Sequence, residues 1–276
     1  MRCGMLVVAL GGLLTLPDPG SAQYRTISST RVQEGAERGA IRFPTYVRAF
    51  YERQSVDGGS WQSYGAAAGL RLGPTSGEIL AWRATRFGLH DTSIGADLYT
   101  TLWTRAYLYT GIHIVPDAEV LPSRDLRAAL FQVFARTWEA SFGGRLLDYP
   151  AAELEVLTAG LGHYVERWYI RANGSYIMDA DGVGGAVLIR RYLESPAAAA
   201  VPAQIEAVFG GGDAVVELRS TTTGVVVDVR ESAFGTLGVR VFPGHGATGI
   251  SAGVGAFKYD GLATRWSVSL GLLYRY

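Results

Sequence analysis

Read backward from the C-terminus, every second residue is apolar or aromatic: Tyr276, Tyr274, Leu272, Leu270, Val268 and Trp266. Between them stand Arg275, Leu273, Gly271, Ser269, Ser267 and Arg265, mostly small or polar. A period of two describes a strand with one apolar and one polar face. The aromatics sit at the two ends of the apolar face, the girdle arrangement of a lipid-facing barrel strand. At about 3.3 Å per residue this segment extends roughly 33 Å. Tilted by about 40°, it spans roughly 25 Å, the height of an outer-membrane apolar band.

The pattern repeats along the chain. From Tyr46 onward, alternating segments of about ten residues are separated by turn residues, longer than the five or six usual for soluble strands. Tyr64, Ala66, Ala68, Leu70 and Leu72 form one apolar row. Further rows are Leu80, Trp82 and Ala84; Ile94, Ala96 and Leu98; Ala129, Phe131 and Val133; and Trp168, Ile170 and Ala172. Strand starts are expected near Tyr46, Trp61, Glu78, Thr92, Thr104, Leu126, Trp138, Glu153, Arg167, Gly182, Ala203, Phe234, Ala247 and Ala263. The predicted fold is all-β: a single antiparallel transmembrane β-barrel of about 14 strands, with a range of 12 to 16. The upper limit comes from Val215–Ser220 and Val225–Arg230, which read either as two more wall strands or as a hairpin above the membrane; merging weak strand candidates gives the lower limit. Gly210-Gly211-Gly212 reads as a turn or loop. All loops on the side away from the termini read as short, with none long enough to form a constriction.

The N-terminus predicts processing. Arg2 precedes an apolar run from Cys3 to Leu16, Pro17 breaks it, and Gly20-Ser21-Ala22 offers a small-residue cleavage site. The run is too short for a spanning helix, which needs about 20 apolar residues. Residues 1–22 are therefore expected to be a signal peptide cleaved near Ala22, residues 23–45 a periplasmic arm, and 46–276 the barrel in the outer membrane of a Gram-negative type cell. Removing the leader removes Cys3, the chain's single cysteine, which suits an oxidising periplasm. Net charge is zero, so bulk charge suggests no nucleic-acid partner.

If the apolar rows face lipid, the intervening rows line a lumen rich in charge. Arg48, Arg71, Arg83, Asp97, Arg105, Glu139, Arg145, Arg167, Arg171, Arg240 and Arg265 are the candidate lumen charges, with Glu52, Glu153, Glu155, Glu206 and Arg275 beside them. Two readings compete: an ion or sugar pathway in which arginines favour anions, and a barrel stapled shut by arginine–carboxylate pairs. Tyr99, Tyr107, Tyr109 and Tyr169 are expected on the same face, as space-fillers or as stacking platforms for sugar rings. The expected lipid-interface aromatics are Trp61, Trp82, Trp138, Trp168, Trp266, Tyr274 and Tyr276.

Nothing points to catalysis, a metal or a cofactor. The four histidines are scattered, and none has a serine and an orienting acid at strand spacing. The expected partners are outer-membrane lipid, the barrel-assembly machinery through the C-terminal strand, and small polar solutes or envelope polysaccharide.

Several segments resemble the YaiO-type outer-membrane β-barrel family. They are Trp82–Gly88 continuing through Asp91 to Ala96–Tyr99, then Leu121-Pro122, Arg136–Ser141, Thr158–Tyr164 and Arg190–Leu193. The likeness extends over roughly Tyr46 to Tyr276. It implies an outer-membrane barrel and carries no catalytic motif. The function expected is passive passage of small polar solutes. The alternative is a structural or adhesive envelope barrel with a charge-plugged lumen.

Overall fold

The computed structural model describes residues 46–275 apart from 57–58, 73, 194–201 and 221–223. The expected leader, the arm and Tyr276 lie outside the described residues. Fourteen strands form a closed barrel: β1 Tyr46–Val56, β2 Gly59–Leu72, β3 Thr75–Arg86, β4 Leu89–Trp103, β5 Ala106–Ile114, β6 Arg124–Phe134, β7 Trp138–Tyr149, β8 Ala152–Val165, β9 Trp168–Ile177, β10 Gly182–Tyr192, β11 Gln204–Ser220, β12 Gly224–Val241, β13 Thr248–Tyr259 and β14 Arg265–Arg275. Each strand pairs antiparallel with its sequence neighbours. β1 closes the ring on β14 in register from Tyr46↔Arg275 to Gln54↔Ser267. Both ends of the barrel therefore lie at one rim, the terminal rim; the other is the distal rim.

The wall is inside out relative to a soluble sandwich. On β14, Trp266, Val268, Leu270, Leu272 and Tyr274 are 48–63% exposed, while Arg265 and Ser267 are buried. The polar row thus faces the lumen and the apolar row faces outward, as a hydrocarbon solvent requires. Trp103, Trp138, Trp168 and Tyr274 point outward at the terminal rim, and Trp266 does so at the distal rim. Trp138 stacks on His163 at 4.1 Å, and the Arg191 guanidinium lies 5.4 Å over Trp168.

β3, β6 and the distal part of β8 present the face opposite to that expected. On β3, Trp82 turns into the lumen and Arg83 turns out, because Trp82 pairs with Gly65 and Ser93 on the lumen face. Gly65 makes the room: a Cβ there would lie 2.5 Å from the Trp82 Cβ and 2.7 Å from the Phe50 ring. On β6, Asp125, Arg127, Ala129 and Val133 are buried inside, while Leu126 and Leu130 face out. β3 and β6 carry apolar residues on both faces, so alternation reveals the period without its phase. Trp61, expected at the lipid interface, is also a lumen residue, packed edge-on against Phe87 at 5.1 Å. Glu153 and Glu155, expected inside, are exposed on the outward face of β8 near the distal rim.

The largest departure is at the distal rim. β11 pairs with β10 only up to Gly212↔Gly184, and β12 pairs with β13 only from Ser232↔Tyr259. Beyond those points Asp213–Ser220 and Gly224–Glu231 pair only with each other. This hairpin does not stand above the wall; it folds over the lumen. Val215 packs with Leu147, Tyr149, Leu154, Val156 and Ile177 of the inner wall, and Val216 packs with Phe257 and Tyr259. Gly212, at φ +103°, is the point of departure. A Cβ there would lie 2.3 Å from the Val183 carbonyl oxygen, so glycine permits the bend. The glycine triplet is thus strand and hinge rather than a loop, and the distal side does carry a segment long enough to constrict the lumen.

Placing a cation at the middle of β14 is expected to cost more than placing one at its rim. Leu270→Arg should destabilise by about 2–4 kcal/mol and Tyr274→Arg by about 0–1 kcal/mol, read as denaturant midpoints in lipid vesicles. Equal losses would show that β14 does not cross hydrocarbon.

Candidate functional site

The lumen is built from long polar side chains that reach across glycines on neighbouring strands. Asp97, Gly111, Arg127 and Arg145 form one register row through β4, β5, β6 and β7. Gly111 leaves the gap that its neighbours fill: a Cβ there would lie 2.7 Å from the Tyr109 hydroxyl and 2.8 Å from Asp97 Oδ1. Gly162 does the same for the Tyr169 hydroxyl, at 2.7 Å.

These side chains form closed charge clusters. Glu139 is fully buried and accepts hydrogen bonds from Tyr107 at 3.0 Å, Tyr169 at 2.9 Å and Arg171 Nη1 at 2.7 Å. Arg171 also donates to Ser141 and Asn173. Asp125 accepts from Arg127 and from Arg145 Nε at 2.5 Å. Near the terminal rim Glu78 accepts from Tyr46 at 2.5 Å and Arg48 Nη2 at 2.7 Å. Beside it, Arg190 pairs with Glu206 at 3.2 Å. Charge-assisted bonds of this kind are short, and in a desolvated interior they hold only when every partner is supplied.

Asp97 accepts from Tyr109 at 2.5 Å and lies 3.2 Å from His113 Nε2. Ser93 is on the same lumen face, but its buried Oγ makes no hydrogen bond. The Asp97–His113 pair therefore has no activated nucleophile beside it. Among the described residues no acid, histidine and cysteine cluster could hold a metal.

Two segments close over the distal mouth. The β5–β6 connection turns inward: Asp91 accepts the backbone N–H groups of Glu119, Val120 and Leu121 at 3.0, 2.8 and 2.7 Å. Val115 and Leu121 seat on Ala84 and Trp82, which is why an indole is useful inside the barrel at that height. The β11–β12 hairpin crosses the rest of the mouth. Its Glu217 pairs with Arg86 of β3 at 2.8 Å and accepts from Tyr149 of β7 at 3.3 Å.

Of the expected lumen charges, Arg48, Asp97, Glu139, Arg145, Arg171, Arg240 and Arg265 face the lumen. Arg265 lies 4.4 Å over Trp61 and 4.9 Å over Tyr259. Arg105 and Arg167 sit instead in terminal-rim turns, where two-residue connections leave no wall position for them; Arg105 has φ 65°. Arg83 faces outward. The side chain of Arg71 lies outside the described residues; its backbone pairs with Ser76. Tyr99, Tyr107, Tyr109 and Tyr169 are all inside and buried. The first three pack on one another, and Tyr107 stacks on Phe131 at 4.5 Å. Sequence reasoning missed Glu78, Arg86, Asp91, Asp125, Arg127, Arg190 and Glu217. One signal was available: Asp125 and Arg127 are opposite charges two apart, which places them on one face of any strand.

The YaiO membrane β-barrel domain matches residues 45–206, more than half of the chain. The chain belongs to that family. The matched span runs from β1 into β11. Among solved structures, the chain is similar to the Acinetobacter baumannii outer membrane protein Omp33, at 8% identity and TM-score 0.51, over 85% of this chain and 100% of that one. It is also similar to Pseudomonas aeruginosa OpdQ, at 9% and 0.42 over 84% and 97%. A third is an anion-selective porin from Comamonas acidovorans, at 8% and 0.41 over 84% and 98%. At such identity the likeness is one of fold. No curated protein matches the chain. As a YaiO-family member, the protein is an outer-membrane β-barrel.

Removing one partner from a filled cluster should cost far more than breaking a pair at the rim. Glu139→Ala leaves a buried guanidinium without its carboxylate and is expected to destabilise by about 3–5 kcal/mol. Arg124→Ala breaks an exposed pair with Asp148 and should cost under about 1 kcal/mol. Unfolding midpoints in detergent micelles compare the two.

Proposed function

We propose that this YaiO-family barrel is an outer-membrane channel for small polar solutes that rests closed, with the β11–β12 hairpin as its lid. The observation that carries the reading is the hairpin itself. It leaves the wall at a glycine hinge, lies over the lumen on two apolar seats, and is tied by Glu217 to Arg86 across the mouth and by Arg230 to the Asp260 carbonyl. A lid held by side-chain packing and a few polar ties, with no strand ladder to the wall, is separable from it, whereas the wall strands are not. The polar inner face supports passage of hydrated solutes rather than of lipid.

The lumen residues named in the site above supply seven carboxylates and eight guanidinium groups, and most are paired. An opened channel should therefore discriminate weakly between cations and anions, in contrast to what the arginine content alone suggests.

A second reading has its own support. The mid-barrel clusters are buried and cross-linked, as in a barrel that stays plugged and serves the envelope structurally or in adhesion. One experiment separates the two. In planar bilayers the wild-type protein is expected to be mostly silent. Replacing residues 213–231 with Asn-Gly, a two-residue hairpin turn, should give sustained conductance, and Glu217→Ala should give intermittent openings. A folded deletion variant that remains silent would overturn the channel reading in favour of the plugged barrel.

A further inference from the structure

Among the described residues, the outward face of the wall carries two cations, Arg53 and Arg83, without a protein partner. Arg53 of β1 and Arg83 of β3 are both exposed and point away from the lumen. Neither makes a hydrogen bond or ion pair with any described residue. The lumen arginines Arg48, Arg86, Arg127, Arg145, Arg171 and Arg190 are each paired with a carboxylate. Arg240 is an exception among the described lumen arginines, with a buried Nη1 that makes no hydrogen bond; on the lipid side, Arg53 and Arg83 stand without the carboxylate that those six lumen arginines have.

Their placement is specific. Each stands three residues from the distal end of its strand. At about 3.3 Å per residue and a tilt of about 40°, that is roughly 8 Å below the rim. There an arginine reaches upward along an apolar surface to the headgroup layer. The register sets them on either side of β2: Arg53 faces Gln62, and Arg83 faces Tyr64, which in turn faces Tyr51 of β1. Strand spacing of about 4.8 Å and a two-residue offset put the two Cα atoms about 12 Å apart, close enough for both side chains to converge on one headgroup. Tyr51 and Tyr64 form an exposed aromatic shelf between them. Going around the distal rim, Lys258 of β13 lies exposed on the same side of the barrel. The acidic residues Glu153, Glu155, Asp179 and Asp181 are exposed on the β8–β10 side. Asp260 of the β13–β14 turn and Glu231 of β12 are exposed near Lys258 as well, so the unpaired positive charge is local to Arg53 and Arg83.

We propose that Arg53 and Arg83, with the Tyr51–Tyr64 shelf, form a binding site for a lipid whose headgroup carries phosphate groups. The guanidinium fork matches phosphate oxygens in two-point geometry, and the tyrosine rings cover the sugar or glycerol portion beneath. This site lies on the outer wall and does not depend on whether the lumen conducts.

The test uses the full-length folded barrel in phosphatidylcholine nanodiscs titrated with bisphosphorylated lipid A or with its dephosphorylated form, bound lipid being counted by native mass spectrometry. Wild type is expected to retain the phosphorylated lipid at least tenfold more tightly. The Arg53→Gln, Arg83→Gln double variant should lose that preference, and Arg83→Lys should keep part of it. Arg191→Gln, which changes an outward cation at the terminal rim, should leave it unchanged. The gel shift between heated and unheated samples confirms that each variant is folded. Equal retention of the two lipids by wild type would overturn the proposal. Undiminished preference in the double variant, or an equal loss in Arg191→Gln, would overturn it as well.

Discussion

Hydrocarbon offers no hydrogen bonds, so a wall of strands within it must satisfy every backbone N–H and C=O by itself. The β1–β14 pairing is the contact that completes this requirement, and it joins residues more than two hundred positions apart. Without it two edges of unpaired groups would face lipid. The even strand number and the shared terminal rim follow from that closure, because an antiparallel ring built from hairpins brings its last strand back beside its first.

Closure also inverts the usual distribution of polarity. The apolar rows are solvated by lipid, so the polar rows are left to fill the interior. An interior of arginines and carboxylates is stabilised where charges meet their counterparts. That condition explains the spacing of clusters around Glu78, Asp125 and Glu139, and the glycines that clear space for the side chains reaching them. The distal mouth follows the same logic on a smaller scale. Asp91 collects the free N–H groups of one inward connection, and Glu217 anchors the other across the barrel.

Much of the architecture was legible in the chain. The alternation of β14, β9 and β4 showed both the strands and the sense of their faces, because Trp, Ile and Leu contrast sharply with Arg, Ser and Asp there. β3 and β6 were not legible in the same way. On β3 both rows mix apolar and charged residues, Ile79, Ala81 and Arg83 in one and Glu78, Leu80, Trp82, Ala84 and Arg86 in the other, so only pairing with β2 and β4 could choose between them. Trp61 and Trp82 misled for a related reason: tryptophan suits an interface girdle, yet it also suits an inner wall that must seat an incoming loop. The lumen side of the site was partly visible as an excess of inward arginines. Their partners were not, since Asp125, Glu78 and Glu217 find Arg145, Arg48 and Arg86 on other strands.

The sequence by itself determined that this protein is a barrel in a membrane, and nearly how many strands it has. Those properties depend on periodicity, on segment length and on the placement of aromatics, all of which are local along the chain. The tertiary structure alone decided which charges pair, which face β3 and β6 present, and that the β11–β12 hairpin lies across the mouth rather than standing above it. These depend on what each strand meets across the sheet and across the lumen, and a strand's own period-two pattern reads the same whichever neighbour it meets.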